Sequence, residues 1–276
     1  MKRACVVGWP VSHSRSPLIH GHWLARYGCD GSYERRAVQP EAVAGFLGSL
    51  RDQGYVGCNV TIPHKETAFA VAAEARPAAR AAAAANTLWY EDNKLVADNT
   101  DGVGFVCNLR ALAPRFSIDG AIVSVLGAGG AARGIVLALL EAGAGEIRVF
   151  NRTHGRADAV AQDFGAKVKA YDWSRRTGHS RDASLLVNTT PLGMAGADPL
   201  VIDVDALDQS CVVADIVYVP VETPILVAAR WRGLVTVDGL GMLLHQAAPG
   251  FEKWFGVRPE VTPELRALLV RDIEGA

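Results

Sequence analysis

The chain has 276 residues, half of them apolar, and its 28 lysine and arginine residues nearly balance 29 aspartate and glutamate residues. A net charge of −1 gives no general attraction to nucleic acid or to an anionic membrane, because both select proteins with a basic excess. No stretch approaches the roughly 18 consecutive apolar residues of a transmembrane helix, and the first residues lack a signal-peptide core. We therefore expect a soluble, cytoplasmic protein with no nucleic-acid or membrane partner.

The cysteines are few and scattered. They are odd in number and none belongs to a Cys-x-x-Cys pair, which argues against both a disulfide framework and a structural zinc site. A reducing compartment and the absence of a bound metal are the corresponding predictions. The five residues are Cys5, Cys29, Cys58, Cys107 and Cys211.

The first part of the chain alternates short β-rich runs with longer Ala- and Leu-rich stretches, which is typical of β-α units around a mainly parallel sheet. Residues Thr87–Ala97 predict a hairpin, because two short apolar runs flank a polar turn. The other predicted strands are Ala4–Gly8, Ser32–Val38 and Gly57–Ile62, and the predicted helices are Pro17–Tyr27, Pro40–Gln53 and Lys65–Ala85.

A second β-α series begins after a helix predicted over Gly104–Leu112, where Pro114 and a turn at Asp119 and Gly120 interrupt the pattern. We predict an α/β protein of two domains, residues 1–103 with 240–276 and residues 104–239, whose last helices return to the first domain. The strands of the second series are expected at Ala121–Leu126, Ile147–Phe150, Lys167–Tyr171, Leu185–Asn188, Val212–Ile216 and Val235–Val237, and the last helices at Gly241–Phe255 and Pro263–Ile273.

Residues 123–134, VSVLGAGGAARG, pass from an apolar strand through glycines into the helix Ile135–Ala142. Gly127 permits the tight turn, Gly129 lets the backbone approach a pyrophosphate, and Ala132 takes the third small position. The helix N-terminus adds N–H groups and a partial positive charge. An ordinary tight β-α turn is the alternative, but the strand and helix on either side favour a dinucleotide site.

The end of the next strand distinguishes between the two nicotinamide cofactors. An NAD site usually has an acidic residue there, which binds the ribose 2′-hydroxyl, whereas this chain has Asn151, Arg152 and Thr153. An arginine pairs with a 2′-phosphate, to which Thr153 and Arg156 could add donors. The sequence favours NADP over NAD, with a merely solvated Arg152 as the alternative.

Three polar clusters, at residues 13–17, 59–65 and 98–102, fall at predicted strand ends or turns. Each alone has an ordinary explanation: a helix cap, a strand edge with a surface lysine, and turn chemistry. Together they supply the hydroxyls, amides, cation and carboxylate that suit redox chemistry on a polyhydroxylated acid. A ketone that receives a hydride develops negative charge on oxygen, which a lysine–aspartate pair can stabilise and protonate. Lys65 and Asp101 are the candidate pair.

Eight motifs in the same order resemble the shikimate dehydrogenase family. They are GWPVSHSRSP (8–17), NVTIPHK (59–65), ANT (85–87), NTDG (99–102), GAGGA (127–131), NRT (151–153), NTTPLGM (188–194) and DGLGMLLHQA (238–247). The chain departs from the family's usual residues at Gly21 and Ala97, which puts local turn geometry in doubt more than activity.

The resemblance implies an NADP-linked reduction of 3-dehydroshikimate to shikimate, in aromatic amino-acid biosynthesis, with Lys65 and Asp101 as the catalytic pair. It also implies a substrate-binding domain and a Rossmann-type domain with a cleft between them. The residues expected to hold the substrate are Ser14, Ser16, Thr61, Asn86, Tyr218 and Gln246. Those expected to bind the cofactor are Gly127, Ala128, Gly129, Gly130, Ala131, Asn151, Arg152, Thr153, Arg156, Thr189, Ile216, Gly239 and Met242.

Several alternatives remain open on the sequence alone. A quinate or dual quinate/shikimate dehydrogenase with NAD use differs by one substrate hydroxyl, although Ser16 and Arg152 favour shikimate and NADP. A non-catalytic regulator that binds NADP or a metabolite could share the fold, but it would not need both Lys65 and Asp101. Metal catalysis and a serine hydrolase lack the necessary residue spacing. Monomer and homodimer are both possible.

Overall fold

The computed structural model of the chain describes residues 1–275, which divide into two compact units. The first unit contains Met1–Asp101 and Leu244–Asp272, and the second contains Gly102–Leu243 with the chain from Ile273 onward. Each unit has its own six-stranded sheet, which confirms the predicted α/β class. The limits 1–103 with 240–276 and 104–239 remain a prediction of where the functional domains begin and end.

The first unit has a mixed sheet. Its strands are β1 (Lys2–Gly8), β2 (Gly31–Ala37), β3 (Tyr55–Val60), β4 (Glu74–Ala75), β5 (Thr87–Glu91) and β6 (Lys94–Asp98), and its first helices are α1 (Ser16–Arg26), α2 (Val43–Gly48), α3 (Lys65–Val71) and α4 (Pro77–Ala82). The strand order is β2-β1-β3-β5-β6-β4. Strand β1 pairs in parallel with both neighbours, whereas β5 is antiparallel to β3 and β6.

The single helix predicted over Lys65–Ala85 is wrong. The chain instead forms α3, the short strand β4 and then α4. Helix α3 ends at Val71, and the next residue, Ala72, is extended with φ −70° and ψ 138°. The N–H groups of Ala73 and Arg76 then donate to the carbonyls of Leu95 and Ala97 on β6, and Pro77 disfavours helical geometry at Arg76. The helix predicted over Pro40–Gln53 shortens to α2. Gly21 lies within α1 and Ala97 within β6, so neither departure from the family pattern occupies a turn.

The second unit has an entirely parallel sheet. Its elements are α5 (Asp101–Leu112), β7 (Ile122–Leu126), α6 (Gly130–Glu141), β8 (Glu146–Asn151), α7 (His154–Phe164), β9 (Val168–Asp172), β10 (Leu185–Asn188), β11 (Val212–Asp215), α8 (Pro224–Trp231) and β12 (Val235–Val237). The order β12-β11-β10-β7-β8-β9 is that of a doubly wound dinucleotide-binding fold. In such a sheet ligands bind at the carboxyl ends of the strands where the order reverses, here between β7 and β10.

The last two helices, α9 (Gly239–Phe255) and α10 (Pro263–Glu274), return to the first unit over Leu244–Asp272, as predicted. The indole nitrogen of the buried Trp254 donates a 2.9 Å hydrogen bond to the carbonyl of Leu88 on β5. Trp23 of α1 similarly donates to the carbonyl of Glu260 at 3.0 Å. Among residues 1–275, no helix is both long enough and apolar enough to span a bilayer.

Candidate functional site

Lys65 and Asp101 meet in the first unit. Lys65 begins α3 and Asp101 begins α5, so each is presented by the first turn of a helix. The Lys65 ammonium donates to Asp101 Oδ2 at 2.7 Å, and Asn86 Nδ2 donates to Asp101 Oδ1 at 2.8 Å. The Asp101 side chain is 9% exposed and that of Lys65 is 27% exposed. The carboxylate is therefore fixed through both oxygens while the ammonium stays accessible.

Gln246 of α9 joins this group through Asn86 and Thr100. Asn86 Nδ2 lies 3.3 Å from Gln246 Oε1. The Thr100 hydroxyl donates to the backbone carbonyl of Gln246 at 2.8 Å, and the Thr100 N–H donates to Asn86 Oδ1 at 2.9 Å. The structure thus brings together four of the predicted residues: Lys65, Asn86, Asp101 and Gln246.

Ser14 and Ser16 form a second polar group at the start of α1. The Ser14 hydroxyl donates to Ser16 Oγ at 3.3 Å, and the Arg35 guanidinium donates to the Ser14 carbonyl at 2.6 and 2.9 Å. Thr61 directly follows β3, and its N–H donates to the Val7 carbonyl at 2.9 Å. Two hydroxyls with a cation beside them suit a carboxylate.

In the second unit, a cavity of about 210 Å³ lies at the carboxyl ends of β7, β8, β9 and β10. The predicted residues that line it are Gly127, Ala128, Gly129, Asn151, Arg152, Arg156 and Thr189. Trp173, Thr190, Pro191 and Leu192 also line it, and the sequence did not predict their participation. Thr190, Pro191 and Leu192 belong to the NTTPLGM motif, which carried the necessary signal, whereas Trp173 belongs to none of the motifs.

The turn after β7 requires glycine at position 127. Gly127 has φ +112°, which residues with a side chain rarely adopt. A Cβ at this position would also clash with Thr189 Oγ1, at a distance of 2.5 Å. The Thr189 hydroxyl donates to the Leu126 carbonyl at 2.7 Å. Helix α6 then begins at Gly130, with Ala131 in its first turn, so the free N–H groups of the helix N-terminus follow the glycine turn.

The residues predicted to bind the 2′-phosphate of NADP lie in the segment after β8. Asn151 Nδ2 donates to the Thr153 carbonyl at 2.9 Å, which shapes the turn before α7. Arg152 and Arg156 line the cavity and are both exposed. Neither guanidinium has an ion-pair or hydrogen-bond partner within residues 1–275. Thr153 does not line the cavity.

The remaining predicted residues lie elsewhere in the second unit. The N–H of Ile216, which follows β11, donates to the Asn188 carbonyl at 3.1 Å, and a Cβ at Gly239 would lie 2.3 Å from the Ile216 carbonyl oxygen. Met242 is buried in the hydrophobic core. Tyr218 also belongs to this unit, unlike the other predicted substrate residues. None of these four lines the cavity.

Asp215, at the end of β11, organises the adjacent loops. Its carboxylate accepts hydrogen bonds from Asn188 Nδ2 at 2.9 Å, the Val217 N–H at 3.0 Å and the Thr223 hydroxyl at 2.7 Å. Burial raises the pKa of Asp215 to about 6, although these donors oppose the shift. This residue could not be selected from the sequence, because its partners become apparent only when β10 and β11 are paired.

Three family models match successive parts of the chain. Residues 6–88 match the shikimate dehydrogenase substrate binding domain, residues 111–191 match shikimate / quinate 5-dehydrogenase, and residues 239–269 match the shikimate 5'-dehydrogenase C-terminal domain. The "Shikimate dehydrogenase (NADP(+))" of Mesorhizobium japonicum is 55% identical over 99% of this chain and 97% of its own length.

Solved structures show the same likeness. Shikimate 5-dehydrogenase from Thermus thermophilus, in complex with NADP(H) and shikimate, has a TM-score of 0.87 and 36% identity, covering 99% of this chain and 100% of that one. Quinate dehydrogenase from Corynebacterium glutamicum, in complex with NAD, has a TM-score of 0.89 and 27% identity, with 98% of each chain covered.

Proposed function

Because the chain belongs to the shikimate dehydrogenase family, we propose that it catalyses the reversible NADPH-dependent reduction of 3-dehydroshikimate to shikimate in aromatic amino-acid biosynthesis. The observation that carries this function is the 2.7 Å pairing of Lys65 with Asp101. A protein that only bound the ligands would have no use for a proton-transfer pair. Residues 1–103 with 240–276 form the substrate domain of this proposal, and residues 104–239 form the NADP domain.

The lining of the cavity in the second unit suits the phosphate groups of NADP. Gly127 and Gly129 let a pyrophosphate approach the backbone, and the N-terminus of α6 follows with its free N–H groups. The unpaired guanidinium groups of Arg152 and Arg156 suit a 2′-phosphate, because an arginine pairs with phosphate oxygens in a bidentate manner. When bound, NADPH supplies the hydride.

Lys65 is the proton donor of the reduction. As the substrate ketone accepts hydride, negative charge accumulates on its oxygen, and the Lys65 ammonium stabilises this charge and delivers a proton. Asp101 holds the ammonium in place, and Asn86 prevents rotation of the Asp101 carboxylate by binding its other oxygen. In the reverse direction the Lys65 amine takes the hydroxyl proton.

The remaining polar side chains hold the substrate. Ser14 and Ser16 provide two adjacent hydroxyls and, with Thr61, Asn86, Tyr218 and Gln246, bind the carboxylate and ring hydroxyls of shikimate. Support comes from the hydrogen bonds that tie Asn86 and Gln246 to the catalytic pair.

A cytoplasmic location completes the proposal. Cys5 and Cys58 are register partners on β1 and β3, and both are buried free thiols, as expected of a protein kept in a reducing compartment.

The proposed function is tested by mixing the purified chain with shikimate and NADP and following the absorbance of reduced nicotinamide. We expect turnover, with 3-dehydroshikimate identified by mass spectrometry. Binding of both ligands without turnover would instead support the binding-only alternative. Size-exclusion chromatography of the same sample distinguishes a monomer from a homodimer.

A further inference from the structure

The hydroxyl of Tyr33, on β2, lies beside the polar groups of the first unit. It donates a 2.6 Å hydrogen bond to Asn59 Oδ1 on β3. Burial holds the pKa of Tyr33 well above its usual value, so the hydroxyl keeps its proton at neutral pH. Tyr33 belongs to none of the sequence motifs and is not among the predicted site residues.

Asn59 can adopt only one amide orientation. Its Nδ2 donates to the Asn86 carbonyl and to Thr87 Oγ1, each at 3.2 Å, while its Oδ1 accepts from Tyr33. A flipped amide would place Oδ1 against the Asn86 carbonyl oxygen, where two acceptors repel each other. Asn59 is buried, so no solvent would compensate for the lost hydrogen bonds.

The same reasoning applies to Asn86. Its Oδ1 accepts from the Thr87 hydroxyl at 3.0 Å and from the Thr100 N–H at 2.9 Å. Its Nδ2 is therefore directed to Asp101 Oδ1, and Asp101 in turn binds Lys65. A continuous set of hydrogen bonds, buried from Asn59 onward, thus runs from Tyr33 through Asn59, Thr87 and Asn86 to the catalytic pair.

His20 sets the plane of the Tyr33 ring. The two rings stack with centroids 4.0 Å apart and an interplanar angle of 13°. Burial lowers the pKa of His20 to about 3, with a smaller opposing contribution from Asn59, so the imidazole is neutral. Neither ring nitrogen has a hydrogen-bond partner of ordinary geometry within residues 1–275. His20 thus contacts Tyr33 as a flat, uncharged surface.

We infer that Tyr33 is a positioning residue for the proposed reaction: its hydroxyl fixes the amide of Asn59 and, through Asn86, the orientation of the Asp101 carboxylate. This inference rests on the proposed function. Tyr33 acts through Asn59, Thr87 and Asn86, whose hydrogen bonds lie between it and the Lys65–Asp101 pair.

The experiment compares Tyr33→Phe with the wild-type chain in shikimate oxidation. This substitution removes one oxygen and preserves the ring stacking on His20. We expect kcat to fall roughly 5- to 30-fold, because a buried acceptor loses its donor. The KM for NADP should be unchanged, and the midpoint of thermal unfolding should shift by only a few degrees.

Tyr90→Phe is the matched control. The Tyr90 hydroxyl accepts from the Arg51 N–H at 3.1 Å and does not belong to the hydrogen bonds that run from Tyr33 to the catalytic pair. The kcat of Tyr90→Phe should equal that of the wild type.

A double-variant comparison separates positioning from structural support. If Tyr33 acts through Asn59, Tyr33→Phe should cause no further loss of kcat in an Asn59→Ala background. Should Asn59→Ala fail to fold, Thr87→Val provides the background, because it removes the hydroxyl between Asn59 and Asn86 with little change in shape.

The outcomes are distinguishable. Wild-type turnover with an unchanged kcat in Tyr33→Phe would overturn the inference and leave the proposed function intact. A lowered unfolding midpoint with normal kcat would also overturn it, since that pattern indicates structural support alone. Absence of wild-type turnover would overturn the proposed function, and the role of Tyr33 with it.

Discussion

Lys65 Nζ and Asp101 Oδ2 are 2.7 Å apart, although the two residues are separated by 36 positions in the chain. Each begins a helix, but the helix dipole favours only the aspartate, because a cation in a first turn faces the positive end of the dipole. Helix stability therefore accounts for Asp101 in α5 and not for Lys65 in α3. The position of the lysine is explained by its partner and by the proton transfer that we propose for the pair.

Replacement of Lys65 tests its role as proton donor. In Lys65→Ala we expect kcat to fall by roughly 10²- to 10⁴-fold, the usual contribution of a general acid. Shikimate binding, measured by calorimetry, should largely survive because the other polar residues remain. Lys94→Ala is the control, since Lys94 is 59% exposed and pairs with Glu74, away from Asp101. Unchanged turnover in Lys65→Ala would contradict the assignment.

Arg152→Ala tests the recognition of the 2′-phosphate. Loss of roughly 1.5–3 kcal/mol of charge-assisted hydrogen bonding should raise the KM for NADP by about one to two orders of magnitude. The KM for NAD, which lacks this phosphate, should change little. The exposed Arg175, which does not line the cavity, provides the control variant Arg175→Ala. Equal weakening of NAD and NADP would exclude the proposed contact.

Trp173→Ala tests the aromatic wall of the cofactor cavity. The Arg176 guanidinium lies 4.7 Å from the Trp173 ring centroid, and the indole faces the same cavity as Arg152. A base stacked on an aromatic ring gains roughly 1–3 kcal/mol. Since both cofactors carry adenine, we expect their KM values to rise by the same factor. Trp231→Ala, at an 87% exposed position, should have no effect; a loss confined to NADP would argue against stacking.

The buried His20 predicts an acid-sensitive fold. Its pKa is about 3 in the folded chain and 6.5 in the unfolded chain, so the unfolded state binds the extra proton between these values. The free energy of unfolding should therefore decrease as pH falls below 6.5, by about 1.4 kcal/mol per pH unit from this residue. His20→Phe lacks the effect and should gain about 2 kcal/mol relative to wild type between pH 7 and pH 5. Denaturant unfolding at pH 7 and pH 5 measures the free energy of unfolding of both proteins. The same pH dependence in His20→Phe and in the wild type would contradict this prediction.

The sequence predicted the second unit well because short apolar runs in the chain mark its strands. Parallel strands covered on both faces produce uninterrupted apolar runs, and residues such as Val123, Val125 and Val187 are fully buried. The region after Lys65 was less predictable. Its alanines favour helix wherever they stand, whereas the break after Val71 accompanies hydrogen bonds from Ala73 and Arg76 to β6, which the local sequence does not show.

The residues of the candidate site likewise include some that the sequence predicts and some that it does not. Residues in recognisable motifs, such as Lys65 and Arg152, could be selected from the sequence alone. Trp173 was missed because a single tryptophan after a strand carries no pattern. The roles of Tyr33 and Asp215 depend on hydrogen bonds across paired strands or between loops, and such partners are determined by the sheet order and not by local sequence.

Steady-state turnover of shikimate and of quinate, each measured with NADP and with NAD, tests the proposed activity and its cofactor. We expect kcat/KM to be highest for the combination of shikimate with NADP, because we propose that Arg152 and Arg156 bind the 2′-phosphate and that Lys65 and Asp101 transfer the proton. Comparable or greater turnover of quinate with NAD would contradict it and indicate a dual-specificity or quinate dehydrogenase.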